Sequence, residues 1–392
     1  MKKKFLVYLV SSIAFLGPFA QTIYTPLLPE LQEQFRASPT VVNMTVAIYP
    51  IFFALMQLVY GPLIDRYGRR KILLIGVLFY LLATLGISFS SSIQWFIFYR
   101  ALQACGIAVG SVAAITVIGD VFEGRMRGRS MGIYQMLVAL GPGVAPIVGG
   151  IMGQHFGTAP IAWILFGFGL LLWFLLFQFL PETKKAGQTD ERFRFGQLTN
   201  VLTDRVGLAI VILGSVQYAI FYTLLILLPT ILSDHFDLSS SQIGMLFLPI
   251  SFSLVLASFI GGRIQEYVEL RRLLLITGVL NMTSILFFTL VSSISLPMFT
   301  VSIILFGLSL GLSLPVQTTL LANELPQYLA TSIGVYNFFR YVWMTIGPAI
   351  GTFFYYAGYQ LVFYVAVIIF ACALIYIYTQ LFSNKHVEKE CV

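Results

Sequence analysis

The sequence predicts an all-α membrane protein: twelve transmembrane helices in two pseudo-symmetric six-helix bundles. Three observations predict it. Charged residues make up only 10% of the chain and hydrophobic ones 58%, whereas a water-soluble domain carries about 25% charged residues. Apolar runs of roughly 18 to 25 residues recur along the chain, the length that crosses ~30 Å of hydrocarbon as a helix. The second half also repeats small and charged residues of the first at a nearly constant offset.

The elements follow in order. The first run, roughly 5–27, begins after Lys2, Lys3 and Lys4. This start is like a signal peptide's, but no small-residue cleavage site precedes Pro26 and Pro29, so a retained helix is expected. Gln21 and Tyr24 share one of its faces. In the second run, roughly 41–60, Asn43, Ala47, Pro50, Ala54, Gln57 and Gly61 recur at steps of three or four, a small or polar stripe. A basic turn, Gly61-Pro62-Leu63-Ile64-Asp65-Arg66-Tyr67-Gly68-Arg69-Arg70-Lys71, leads to the third run, roughly 72–91. The fourth, roughly 95–117, holds Arg100, Gln103 and Gly106, with Asp120 at its far end. The fifth, roughly 131–152, holds Gly141, Pro142, Pro146, Gly149 and Gly150, a set that permits close helix approach and disturbs helical regularity. The sixth is roughly 161–180.

The segment 181–206 carries Pro181, Lys184, Lys185, Gly187, Asp190, Glu191, Arg192 and Arg194. It is the natural linker between an N-terminal bundle, 1–180, and a C-terminal bundle, 207–392. The second six runs lie at roughly 207–231, 243–260, 273–291, 297–320, 331–355 and 361–381. Gly61, Asp65, Arg70, Lys71 and Leu73 match Gly262, Glu266, Arg271, Arg272 and Leu274 at an offset of about 201, and Gly106 and Gly110 match Gly307 and Gly311 likewise. Gly132, Tyr134, Pro146 and Gly149 match Gly334, Tyr336, Pro348 and Gly351 at about 202. Paired halves with a ligand site at their interface are a transporter plan.

Charge sets the expected orientation. Of the 23 Lys and Arg residues, all but Arg36, Arg100 and Arg340 fall in loops or tails on the side of the N-terminus. The positive-inside rule then puts both termini in the cytoplasm. The net charge of +7 is a topological signal spread over separate loops, so no nucleic-acid partner is implied. Cys105, Cys372 and Cys391 are too scattered for a disulfide framework or a metal site. No phosphate-binding loop occurs, which argues against an ATP-driven pump. Short loops offer no catalytic cluster, so an enzyme is not expected, and neither is a cofactor.

The turn 61–71 resembles the helix 2–3 signature of the major facilitator superfamily, G-x-L-x-D-R-x-G-R-R/K, at every principal position. Arg100-Ala101-Leu102-Gln103-Ala104-Cys105-Gly106 is similar to the R-x-x-Q-G-x-G of that superfamily's drug exporters, with Ala104 for a glycine. Gly141 to Gly150 resembles their G-x-x-x-G-P-x-x-G-G, with Ala145 for the middle glycine. The resemblance to the twelve-helix drug:proton antiporters implies a monomer in a cell membrane, of bacterial type, exporting a small molecule against protons. It implies gating by Gly61, Asp65, Arg66, Gly68, Arg69, Arg70 and Asp120, and coupling through Arg100, Gln103 and Gly106 with the Gly141, Pro142, Pro146, Gly149 and Gly150 set. A static interfacial ion pair is the other reading of the gate.

Cavity candidates are Gln21, Tyr24, Asn43, Gln57, Gln135, Gln217, Tyr218, Gln317, Tyr336, Asn337 and Arg340; each polar group serves equally well as interhelical glue. In some relatives the first helix carries an acid four residues before the proline of a Y-x-P-x-x-P pattern; Thr22 stands in that place here. No carboxylate lies near a span centre, which argues against proton coupling through one. The charges inside spans are Arg100 and Arg340, and intramembrane charges are functional hypotheses by default. A neutral or slightly positive cavity follows, suited to neutral, zwitterionic or anionic substrates.

Overall fold

The computed structural model describes residues 3–184, 196–238, 240–355 and 357–382. Lys185, Gly187, Asp190, Glu191, Arg192 and Arg194 of the linker lie outside these, as do Lys385, His386, Lys389 and Cys391 of the tail. Among the described residues the ordered elements are helical: α1 (Lys3–Thr22), α2 (Leu28–Phe35), α3 (Pro39–Tyr67), α4 (Arg69–Ser88), α5 (Ile93–Ile107), α6 (Val109–Val121), α7 (Gly124–Phe156) and α8 (Ala159–Phe179), followed by α9 (Gly196–Thr203), α10 (Arg205–Phe236), α11 (Ser240–Ile264), α12 (Leu270–Val291), α13 (Leu296–Glu324), α14 (Leu329–Tyr355) and α15 (Tyr359–Phe382).

Eleven spans among the described residues are long and apolar enough to cross a membrane, counting α1–α2 and α5–α6 as one each. The twelfth expected span is α14. It has 27 residues, but Asn337, Arg340 and its tyrosines dilute its apolar character. Side chains such as Phe79, Leu82, Phe174, Phe252, Ile368 and Ile375 stand exposed. So many large apolar groups at the surface suit hydrocarbon rather than water.

Three elements depart from the expected spans. The first run ends at Thr22, not near residue 27; Pro26 lacks an N–H, and a 3₁₀ turn, Thr25–Leu27, leads into α2. The fourth run divides at Ala108, whose carbonyl accepts a hydrogen bond from Gln57 Nε2 at 3.2 Å and from Ser111 Oγ at 3.3 Å. A side chain entering the helical ladder is an ordinary cause of such a break. The expected linker contains α9, and Asp204 caps α10 by accepting from the Gly207 amide at 2.7 Å.

The chain forms two compact units. One comprises Met1–Glu123, Met136–Gln197 and Gln327–Gly334; the other comprises Gly124–Gln135, Leu198–Pro326 and Val335–Val392. Helices α7 and α14 therefore each divide between them. In the first unit α4 packs on α5 and α8, and α1 on α6. Gly76 and Gly106 let α4 and α5 touch backbone to backbone, with a Cβ on Gly106 coming 2.8 Å from the Gly76 carbonyl. In the second unit α13 packs on α11 and α12, and α15 on α10 and α12. Gly307 and Gly311 seat α13 on α11, where a Cβ on Gly311 would stand 2.8 Å from that of Ala257. Small residues at such crossings allow the van der Waals contact that holds helices together in lipid.

Candidate functional site

The basic turn sits in the first unit and is held from several sides. Gly68 has φ +96, a conformation that L side chains rarely adopt, and the Glu182 carboxylate fills the place a Cβ would take. Glu182 accepts from the amides of Arg69 at 2.9 Å and Arg70 at 3.2 Å. It thereby satisfies two free N–H groups at the start of α4 and complements the helix dipole. Arg69 is 1% exposed and donates through Nε to Asp120 at 2.8 Å, while Asp120 also accepts from Thr183 Oγ1 at 2.9 Å. Arg70 reaches the Phe177 carbonyl at 2.6 Å. Arg66 lies over the Tyr67 ring, and its carbonyl accepts from Lys184 Nζ at 2.8 Å.

Asp65 also bonds outside this cluster. Its carboxylate accepts from the Ala330 and Thr331 amides at 3.2 and 2.8 Å and from Thr331 Oγ1 at 2.8 Å. Arg69 Nη2 is 3.8 Å away. Asp65 thus caps the start of α14, and Gly61 makes room: a Cβ there would come 2.8 Å from the Ala330 carbonyl. The repeat gives the second unit a counterpart. Gly262 meets Gly132 backbone to backbone, and Glu266, which matches Asp65, pairs with Arg129 near the start of α7.

Arg100 is fully buried and donates four hydrogen bonds. Its guanidinium donates to the carbonyls of Ala20 at 2.8 Å, Gln21 at 3.1 Å and Thr45 at 3.3 Å, and to Gln103 Oε1 at 2.7 Å. The Tyr24 and Tyr49 rings lie 5.0 and 4.5 Å from it. Gln103 passes the chain of bonds on to Thr84 Oγ1 at 2.9 Å. Arg100 so ties α1 and α3 to α5. Of the other first-unit candidates, Gln57 is buried on Ala108 and Ser111, Tyr24 is buried with its hydroxyl unpartnered among the described residues, and Asn43 is exposed.

The glycines of α7 line up along α1 and its following turn. Gly141 meets Pro18 and Phe19, Gly149 meets the Ile23 carbonyl, and Gly150 meets Pro26, with Pro142 and Pro146 inside the helix.

The second unit gathers the remaining candidates. Gln217, Gln317 and Ser313 form a closed set: Gln317 Nε2 donates to Gln217 Oε1 at 2.7 Å, and both amides donate to Ser313 Oγ. Tyr336 donates to Gln317 Oε1 at 2.9 Å. Beside them the Arg340 guanidinium lies 3.8 Å from the Tyr218 ring centre and 4.7 Å from that of Tyr336. Arg340 Nη1 donates to Asn337 Oδ1 at 3.3 Å. Gln135 is buried with its amide nitrogen unpartnered among the described residues. The buried charged residues among those described are Arg69, Arg100 and Arg340, with no carboxylate among them.

Sequence reasoning missed Glu182, Thr331, Ser313 and the further tyrosines near Arg340. Tyr218 and Tyr222 on α10, and Tyr336 and Arg340 on α14, are each four apart, a spacing that puts them on one helical face. That spacing was the available signal. Thr331 and Ser313 carried none.

The sequence model of the Major Facilitator Superfamily matches residues 10–348. The chain belongs to that superfamily. Its eleven candidate spans among the described residues fit a multi-pass membrane protein of that superfamily. The crystal structure of the human organic anion transporter MFSD10 superposes with a TM-score of 0.78 at 18% identity, covering 96% of this chain and 100% of that one. The proton:xylose symporter XylE superposes at 0.77 and 12% identity, covering 96% and 95%. These likenesses show the superfamily's fold. Among named proteins, citrate exporter 1 of Aspergillus niger is 26% identical over 68% of this chain and 57% of its own length. The multidrug transporter AQR1 of Candida glabrata is 32% identical over 46% and 31%. The chain therefore spans about a third to just over half of these relatives. Both are fungal and lend no support to a bacterial source.

Proposed function

We propose that this superfamily member exports small organic molecules of the drug or antibiotic type by alternating access, in exchange for protons. It works as a monomer in a cell membrane with both termini in the cytoplasm. The observation that carries the reading is the seating of Gly141, Gly149 and Gly150 on α1, because the superfamily's exporters share that glycine pattern. Relatives named as a multidrug transporter and a citrate exporter support export.

In this reading the substrate crosses unchanged while the protein opens its site to one side of the membrane and then the other. Asp65, Arg66, Arg69, Arg70 and Asp120, with Gly61 and Gly68, form the cytoplasmic gate. Its release requires Asp65 to give up Ala330 and Thr331. Arg100 and Gln103 serve coupling by holding α1, α3 and α5 as one body, with Gly106, Pro142 and Pro146 shaping the helices around them. Gln21, Tyr24, Asn43, Gln57, Gln135, Gln217, Tyr218, Gln317, Tyr336, Asn337 and Arg340 belong to the cavity or its supporting layer.

The deciding measurement is substrate-dependent collapse of a pH gradient in proteoliposomes. Movement of compound without proton movement removes the antiport element, and no movement of any compound removes the exporter. A second reading is a dedicated exporter of one endogenous metabolite such as a siderophore or metallophore, sugar or amino-acid derivative; within it the buried cation Arg340 favours an acidic product. Build-up of one compound in deletion cells supports it; broad resistance on overexpression supports the first.

A further inference from the structure

We propose that Arg340 is the receptor for a carboxylate group, and that the molecules this transporter handles are organic carboxylates. The inference rests on the exporter reading in taking the second unit's tyrosine-walled site to face the transported molecule.

A guanidinium has five N–H donors and no acceptor. Buried away from water, it is costly unless those donors and its charge are met. The two membrane arginines meet this requirement differently. Arg100 spends its donors on three carbonyls and a side-chain amide oxygen. Arg340, 5% exposed, makes one hydrogen bond, to Asn337, and its Nε has no partner among the described residues. Among the described residues no ion pair forms on it.

What surrounds Arg340 is ring face and phenol. Tyr218 and Tyr336 stand against its plane, where cation–π attraction steadies a guanidinium without using its edge donors. Tyr134, Tyr222 and Tyr341 lie within electrostatic range of it. The hydroxyl of Tyr336 is committed to Gln317, and the Gln317 and Gln217 amides are committed to each other and to Ser313. Tyr336, Gln317 and Gln217 therefore spend their hydrogen bonds on one another and on Ser313 rather than on the guanidinium, among the described residues. Tyr218, Tyr222 and Tyr341 are only half-buried, which makes them the rim from which a ligand reaches it.

A planar cation with its faces covered, its Nε unpartnered among the described residues and one hydrogen bond, to Asn337, still has donors for the two oxygens of a carboxylate, which Arg binds as a fork. The same charge excludes permanent cations, since like charges repel at close range and the repulsion acts as a specificity filter. A carboxylate on a flat apolar body would also use the tyrosine rim.

The test compares aromatic and aliphatic carboxylates with their own uncharged amides and with tetraphenylphosphonium. Binding is read by calorimetry on the detergent-purified full chain, and transport is read separately in proteoliposomes. The wild type is expected to bind carboxylates about tenfold or more tighter than the matched amides and not to bind the cation. Arg340→Met should abolish that preference, and Arg340→Lys should keep part of it, since an ammonium supplies charge without the fork. Tyr218→Leu leaves the cation in place and should weaken binding of aromatic carboxylates more than aliphatic ones. Equal binding of acid and amide, an intact preference in Arg340→Met, or no carboxylate binding across the panel would each overturn the proposal. Preferred carboxylate binding with no transport would sink the exporter reading and leave the receptor standing.

Discussion

At the scale of single residues, the two buried arginines of the membrane region separate by what their donors do. Loss of Arg100 strips a donor from Ala20, Gln21, Thr45 and Gln103 at once. Each unsatisfied buried acceptor costs about 1–3 kcal/mol. Arg100→Met should therefore lower the melting midpoint of purified protein by several degrees. Arg340→Met should leave it close to the wild type's while transport falls. Equal midpoints for the two variants would refute this division. Gly68→Ala forces a side chain into a glycine-only conformation, costing about 1–3 kcal/mol, and displaces Glu182. Its melting midpoint should fall as well, and Glu182→Gln should fall less. Both arginines were legible in the sequence as cations inside apolar runs. Their different roles were not, because three of the four partners of Arg100 are backbone carbonyls, and a carbonyl leaves no mark in a sequence.

At the scale of helices, small residues decide which elements touch. The glycine register of α7 was legible, since it repeats at spacings that stay on one side of a helix. The face it meets was not, because nothing in the residues of α1 marks it as the partner. The contact makes a sharp geometric prediction. A Cβ at position 150 would lie 3.9 Å from that of Pro26, inside the range of about 3.5–4.5 Å that a disulfide spans. The double variant Pro26→Cys/Gly150→Cys, in a background lacking native cysteines, should cross-link under mild oxidation and shift on a non-reducing gel. Failure to cross-link would mean that α7 and α1 are not in this register. The break at Ala108 was hidden for another reason: its cause, the Gln57 side chain, lies 51 residues away in the sequence. Likewise α14 was legible as a run, although Asn337 and Arg340 weaken it by composition alone.

At the scale of the whole molecule, the repeat read from the sequence has a structural correlate. Asp65 and Gly61 engage the start of α14, and their matches Glu266 and Gly262 engage the start of α7. Asp65→Asn keeps the size of the side chain but removes the charge that faces the Thr331 amide and Arg69. Transport should drop about tenfold with unchanged protein in the membrane, as measured by initial rates in vesicles. Wild-type rates would remove Asp65 from the gate. Orientation is checked in sealed right-side-out vesicles. Lys71→Cys should resist an impermeant maleimide until the vesicles are opened, and prompt labelling would invert the proposed topology.

The division of α7 and α14 between the two units also bears on how the polypeptide can be cut. Severed near residue 190, the front fragment would carry Gly124–Gln135, which packs into the other unit, and the back fragment would carry Gln327–Gly334, which packs into the first. Neither piece would own everything it needs to finish folding. Expressed alone, each should be cleared by cellular proteolysis. Produced together, they should rescue one another and copurify.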